Sequence, residues 1–462
     1  MAKFSQLFAP KDMTEGTPWK RIVEFSIPML IGNIAQQFYN TADSIIVGKY
    51  VGDNALAAVG SSGPILNLLI VLFVGISTGA GIMVAQAFGA KDRKKLSHTI
   101  GVCITLTLIV SAIIMLIGPL ITGPLLYILN TPESIIEWCK DYLVIYYLGI
   151  AGFAFYNILA GVLRGMGDSI SALVFLLIAT FLNVALDLFF VIKLGMGVPG
   201  VALATIIAQG ISALLCIIKL SKMRDVFDFN LKMLKPNKEY SMRLIKLGLP
   251  SGLTQAVFSV ALIVVQSLTN SFGEMVIAAN VIVMRVDAFA MMPNFTFGNA
   301  MTTFSGQNIG AKKIDRVEKG SKDGVKIAVV VSIVITTIIL IFGKNLMRIF
   351  TDTTELVDLS MHMMRILSLG YIAMAVTQSL SGVMRGAGDT ITPMWISLIT
   401  SVIIRVPIAY GLAYLTRSSD YPTGRPESTF IALLVCWILG ATITTIFFKR
   451  GKWKNKFITD TE

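Results

Sequence analysis

The sequence predicts an all-α, polytopic membrane protein of twelve transmembrane helices, built as two similar six-helix halves. Three observations predict it: an apolar excess, twelve long apolar runs, and an internal repeat that spans the chain. Hydrophobic residues make up 55% of the 462 residues and charged residues 14%, against about 25% charged in a soluble domain. No soluble core absorbs that much apolar surface, so an ordinary cytosolic enzyme, a disordered chain and a disulfide-stapled secreted domain are excluded.

A bilayer core of about 30 Å needs about 20 apolar residues per helix. Such runs lie at 22–48, 54–83, 97–121, 137–160, 169–192, 198–220, 243–270, 276–305, 323–343, 360–383, 390–415 and 428–448. They are far longer than the roughly 10-residue alternating segments of a β-barrel. The first 21 residues are polar and lack the short apolar core of a signal peptide, so the first run is expected to stay in the membrane.

The net charge of +12 is a matter of topology. Most Lys and Arg fall at the two ends and in the loops after the even-numbered spans, which places both termini on the cytoplasmic side. Basic residues spread over short loops in this way do not form a nucleic-acid surface. Cys103, Cys139, Cys216 and Cys436 show no paired spacing and read as small apolar residues.

The repeat is the most informative feature. Leu159-Ala-Gly-Val-Leu-Arg164-Gly-Met-Gly-Asp168 returns as Leu380-Ser-Gly-Val-Met-Arg385-Gly-Ala-Gly-Asp389, an offset of 221 residues. Gln86-Ala-Phe-Gly-Ala-Lys91 returns as Gln307-Asn-Ile-Gly-Ala-Lys312 at the same offset, and Pro28 matches Pro250 at 222. Each half holds six spans, so the repeats run parallel. The division is read as an N-lobe at 1–220, a basic cytoplasmic linker at 221–242 and a C-lobe at 243–462. Two such halves suit a transporter with its substrate site where they meet.

Nothing points to an enzyme. His98 and His362 are the two histidines, and neither belongs to a zinc pair. No phosphate-binding G-x-x-x-x-G-K-[ST] occurs, so active transport would draw on an ion gradient. The Arg-Gly-x-Gly-Asp segments lie between helices and read as tight cytoplasmic turns.

Polar and ionisable residues at membrane depth are expensive and mark function. The first span carries Asn33, Gln36, Tyr39, Asn40 and Asp43, spaced to share roughly one helix face. The fifth carries Asn183 and Asp187, an i,i+4 pair, and the sixth offers Thr205. Asp43 and Asp187 facing each other suit a proton carrier, and with Asn183 and Thr205 they offer the oxygen ligands that Na⁺ takes. No other metal is implied. In the second half the polar stripe around Gln255 is uncharged, and Arg285 with Asp287 reads as a mutually neutralising charge pair. Arg405 is the remaining charge there. Pro28 and Pro250 interrupt helices, as static kinks or as hinges.

On these residues the chain resembles the multidrug and toxic compound extrusion (MATE) family of antiporters, most of all its bacterial DinF-like and MepA-like members. The resemblance rests on Pro28, Tyr39-Asn-Thr-Ala-Asp43, Gln86-Ala-Phe-Gly-Ala-Lys91, Asn183-x-x-x-Asp187, Gly200-Val-Ala-Leu-Ala-Thr205 and both Arg-Gly-x-Gly-Asp turns, and it covers nearly the whole chain. It implies two six-helix lobes around a central cleft and export of organic, often cationic or aromatic, drug-like compounds in exchange for H⁺ or Na⁺, with no cofactor. It implies a cation site at Asp43, Asn183, Asp187 and Thr205, a cavity lined by Gln36 and Tyr39, and a hinge at Pro28. Acidic positions that some members use in the C-lobe are occupied here by Phe258 and Ala375, so that second site is expected to be missing. The expected setting is the inner (plasma) membrane, with the chain acting as a monomer. The competing readings are a lipid-linked oligosaccharide flippase of the same superfamily, for which Arg285 and Arg405 are few cations, and a membrane receptor or scaffold.

Overall fold

The computed structural model describes residues 10–129, 131–228 and 230–456. Its helices, in chain order, are α1 (Pro18–Tyr50), α2 (Asp53–Gly89), α3 (Arg93–Ile128), α4 (Glu133–Leu148), α5 (Ile150–Gly165), α6 (Ser169–Leu188), α7 (Gly197–Ser221), α8 (Lys238–Asn270), α9 (Glu274–Gly310), α10 (Ile314–Arg348), α11 (Thr354–Ser368), α12 (Gly370–Gly386), α13 (Ile391–Leu398), α14 (Arg405–Leu415) and α15 (Glu427–Lys449). Among the described residues there is no strand. This is the twelve-helix membrane fold that the sequence predicts. The spans expected at 137–160 and 360–383 are each a broken pair: α4 and α5 bend by 52°, α11 and α12 by 43°. The breaks fall at matching places in the repeat. A Cβ on Gly149 would collide with Ile206, and one on Gly370 with Trp437, so a neighbouring side chain sits against the backbone at each bend.

The chain folds as two compact units. One holds Ile27–Gly252; the other holds Met13–Ser26 and the chain from Leu253 onward. The basic stretch at 221–242 therefore lies with the first unit. The divisions fall inside helices, in α1 just before Pro28 and in α8 just after Pro250.

Within each unit, helices approach through small residues, as membrane bundles do. In the first, α5 lies against α2, where Ser77 Oγ donates to the Asn157 carbonyl at 2.7 Å and Gly161 leaves no room for a side chain beside Ser77. In the second, Gly382 of α12 sits in the same way on the Gly298 carbonyl of α9.

The repeated Arg-Gly-x-Gly-Asp motifs are turns and caps. Gly167 and Gly388 adopt φ of 83° and 94°, which lets the chain reverse without strain. Asp168 then caps α6, accepting from Ser171 N at 2.9 Å and Ser171 Oγ at 2.6 Å. Asp389 does the same before α13, through Thr392 N at 3.2 Å and Thr392 Oγ1 at 2.7 Å.

Each unit also fastens the stretch that precedes a lobe-crossing helix. In the second unit, Gln307 Oε1 accepts from Met13 N at 2.8 Å, Asn308 Nδ2 donates to the Met13 carbonyl at 3.2 Å, and Lys313 Nζ donates to the Thr14 carbonyl at 3.0 Å. In the first unit, α3 holds the 224–234 stretch. Arg93 Nε donates to Asp228 Oδ1 at 2.9 Å, Asp228 N to Ser97 Oγ at 2.8 Å, and Thr105 Oγ1 to the Leu234 carbonyl at 2.8 Å. Gln86, the repeat partner of Gln307, accepts from Arg243 Nη2 at 3.1 Å.

Candidate cation site

The polar residues of three helices meet inside the first unit. α1 brings Tyr39 and Asp43, α6 brings Asn183 and Asp187, and α7 brings Thr205. The apolar run of α6 gives these polar groups no water of their own: Asp187 is 0% exposed, Asn183 1% and Thr205 7%. With its amide turned to suit its neighbours, Asn183 Nδ2 donates to Asp187 Oδ2 at 3.0 Å. Its Oδ1 then accepts from Thr205 N at 3.2 Å and from Thr205 Oγ1 at 3.3 Å. Tyr39 reaches the Thr205 hydroxyl from α1. A five-residue π-helical turn, Phe189–Lys193, follows directly after Asp187, a distortion often found at functional sites.

Asp43 and Asp187 lie close enough to act on one another electrostatically. Two ionised carboxylates repel, and a proton or a cation between them would relieve that repulsion. Oδ1 of Asp43 and Oδ1 of Asp187 are both buried and have no hydrogen-bond partner. Unmet buried acceptors are costly, and these two are the acceptors a proton or a hard cation would satisfy.

Sequence reasoning missed two residues. Tyr142 and Tyr146 of α4, 5% and 6% exposed, stand within electrostatic reach of Asp43. Their i,i+4 spacing and ring separation of 6.3 Å put both on one face. Two tyrosines so spaced in an apolar span were the available signal.

The other expected residues are not in this cluster. Gln36 and Asn40 are exposed on α1, and Asn33 is half-buried. Gln255 is exposed on α8 in the second unit. The expected Arg285–Asp287 pair does not form. Positions i and i+2 point to different sides of a helix, so Arg285 is exposed while Asp287 turns inward and its Oδ1 accepts from Tyr371 Oη at 2.9 Å. Phe258 is half-buried and Ala375 fully buried. Among the described residues no group of three or more His, Cys, Asp and Glu side chains could hold a metal ion.

Comparison with known proteins decides the family. The MatE profile matches residues 28–189 and again residues 250–411. The chain belongs to the MatE family. The two matched stretches are the two halves of the repeat, and the first contains Asp43, Asn183 and Asp187. Over 452 residues, the MatE chain is 28% identical to the "Probable multidrug resistance protein YoeA" of Bacillus subtilis (strain 168), covering 96% of this chain and 95% of that one. It is 25% identical to "Multidrug export protein MepA" of Staphylococcus haemolyticus (strain JCSC1435), covering 93% and 94%. A solved structure described as "MATE in the bent conformation" superposes with a TM-score of 0.88 at 25% identity, covering 97% of this chain and 98% of that one. As a MatE member with this run of apolar helices, the protein is a multi-pass membrane transporter.

Proposed function

We propose that this transporter exports organic, cationic or aromatic, compounds by alternating access, in exchange for H⁺ or Na⁺ bound between Asp43 and Asp187. The observation that carries the reading is the buried carboxyl pair with two unmet oxygens. The nearness of the two carboxyl groups favours a shared proton. Asn183 and Thr205 supply further oxygens, which leaves Na⁺ chemically workable. Gln36 and Asn40, polar and exposed on the helix that carries Asp43, support a wet substrate path beside the site. The names of the multidrug relatives support drug-like cargo, and the setting proposed is the plasma membrane with cytoplasmic termini.

The test is transport in proteoliposomes under an imposed pH gradient or an imposed Na⁺ gradient, with a fluorescent cationic dye as cargo. Export that follows one of these gradients supports the reading. Dye movement indifferent to both gradients contradicts it.

A further inference from the structure

The second unit contains a cavity with a largely apolar wall and a cluster of polar side chains that the coupling reading does not use. Ser381, Ser397, Thr400 and Ser401 line it, and two guanidinium groups, Arg385 and Arg405, border it. Its volume is about 50 Å³, where a single water needs about 10–15 Å³ on the same measure. It therefore has room for a small ion with a few waters.

The charges there lack protein partners. Arg405 is 5% exposed, and its Nε has no hydrogen-bond partner. It opens α14 directly after the π-helical turn Ile399–Ile404. Arg385 ends α12, and its Nε is likewise without a partner, as is the buried Ser397 Oγ. Asp287 is the carboxylate within electrostatic reach of Arg405, but its Oδ1 is taken by Tyr371. Asp287 thus stands near Arg405 alone, and among the described residues Arg385 has no carboxylate acting on it. A cation buried without a counter-charge costs several kcal/mol, and guanidinium keeps its proton in every setting. It cannot relieve that cost by neutralising itself, and a mobile anion would relieve it.

The repeat sharpens the point. The positions matching Asn183 and Asp187 are Ile404 and Ile408, and the position matching Val184 is Arg405. Where the first half carries the Asn183 and Asp187 pair, the second carries two isoleucines and the buried guanidinium of Arg405. We propose that the Arg385–Arg405 cavity binds a small monovalent inorganic anion of the chloride class, held by the two guanidiniums and the surrounding hydroxyls.

Chloride itself is the probe. The full-length protein in lipid nanodiscs is titrated from sodium gluconate into sodium chloride at constant Na⁺, following the chloride NMR line width and the unfolding temperature. The wild type is expected to broaden the chloride line saturably, to release chloride to bromide, and to unfold at higher temperature in chloride. Arg405→Leu should weaken chloride binding roughly tenfold or more, as loss of a charge-assisted hydrogen bond would. In gluconate this variant should unfold no lower than the wild type, because an uncompensated buried charge is gone. Arg385→Leu provides the same test should Arg405→Leu fail to fold. The proposal is overturned if the wild type broadens no more than empty nanodiscs, or if both Leu variants bind chloride like the wild type. It is equally overturned if Arg405→Leu lowers the unfolding temperature equally in both salts, since Arg405 would then be Asp287's structural partner.

Discussion

At the scale of single residues, the transporter is defined by a few groups that a lipid-facing helix would never carry. Asp43 is the one carboxyl of the polar stripe on α1, and it finds Asp187 across the first unit. Asp43→Asn keeps the size and loses the titratable oxygen. It should abolish gradient-driven export while leaving expression and the unfolding temperature near wild type, as measured by vesicle efflux and thermal unfolding in detergent; export at the wild-type rate would remove Asp43 from the site. Tyr142→Phe removes a hydroxyl facing the pair but keeps the ring packed. It is expected to alter the ion dependence of export while the variant still folds, and an unchanged ion-dependence curve would make the tyrosine mere packing. The sequence exposed Asp43, Asn183, Asp187 and Thr205 because polar residues in apolar runs are conspicuous. It hid Tyr142 and Tyr146, whose rings pass for ordinary apolar filling. It also suggested an Arg285–Asp287 pair from adjacency, which helix geometry forbids.

At the scale of elements, α1 and α8 are the unusual ones, because each begins in one compact unit and ends in the other. Pro28 lies two residues beyond that division in α1, fifteen residues before Asp43. A proline there removes one backbone hydrogen bond and makes bending at that point cheap. Pro28→Ala should therefore leave ion binding at Asp43 intact and slow drug release, so that binding and transport rates separate; equal transport by the two proteins would make the proline a static kink. The stretch ahead of α8 is tied to α3 by the Arg93, Ser97 and Thr105 hydrogen bonds. A Cβ on Gly101 of α3 would collide with the Met233 carbonyl, so Gly101→Val should lift that stretch away from α3. Limited trypsin digestion should then cut between Arg224 and Lys235 faster than in the wild type. Span positions were legible from hydropathy alone. The bends at Gly149 and Leu369 were not, because a close approach by Ile206 or Trp437 leaves no mark on an apolar run.

At the scale of the whole molecule, duplication made a scaffold whose halves then diverged in charge. The matched turns, caps and bends survive in both halves because they shape the bundle. The carboxyl of Asp187 does not: its matching position is Ile408. The central claim is that one proton or cation, held between Asp43 and Asp187, exchanges for cargo. It is tested most directly by adding a cationic substrate to the purified protein in weakly buffered detergent solution and reading the proton release with a pH-sensitive dye. The wild type should release protons as substrate binds, and Asp43→Asn should release none. Equal release by the two proteins, or none by the wild type in the absence of Na⁺, would contradict a proton held at this pair.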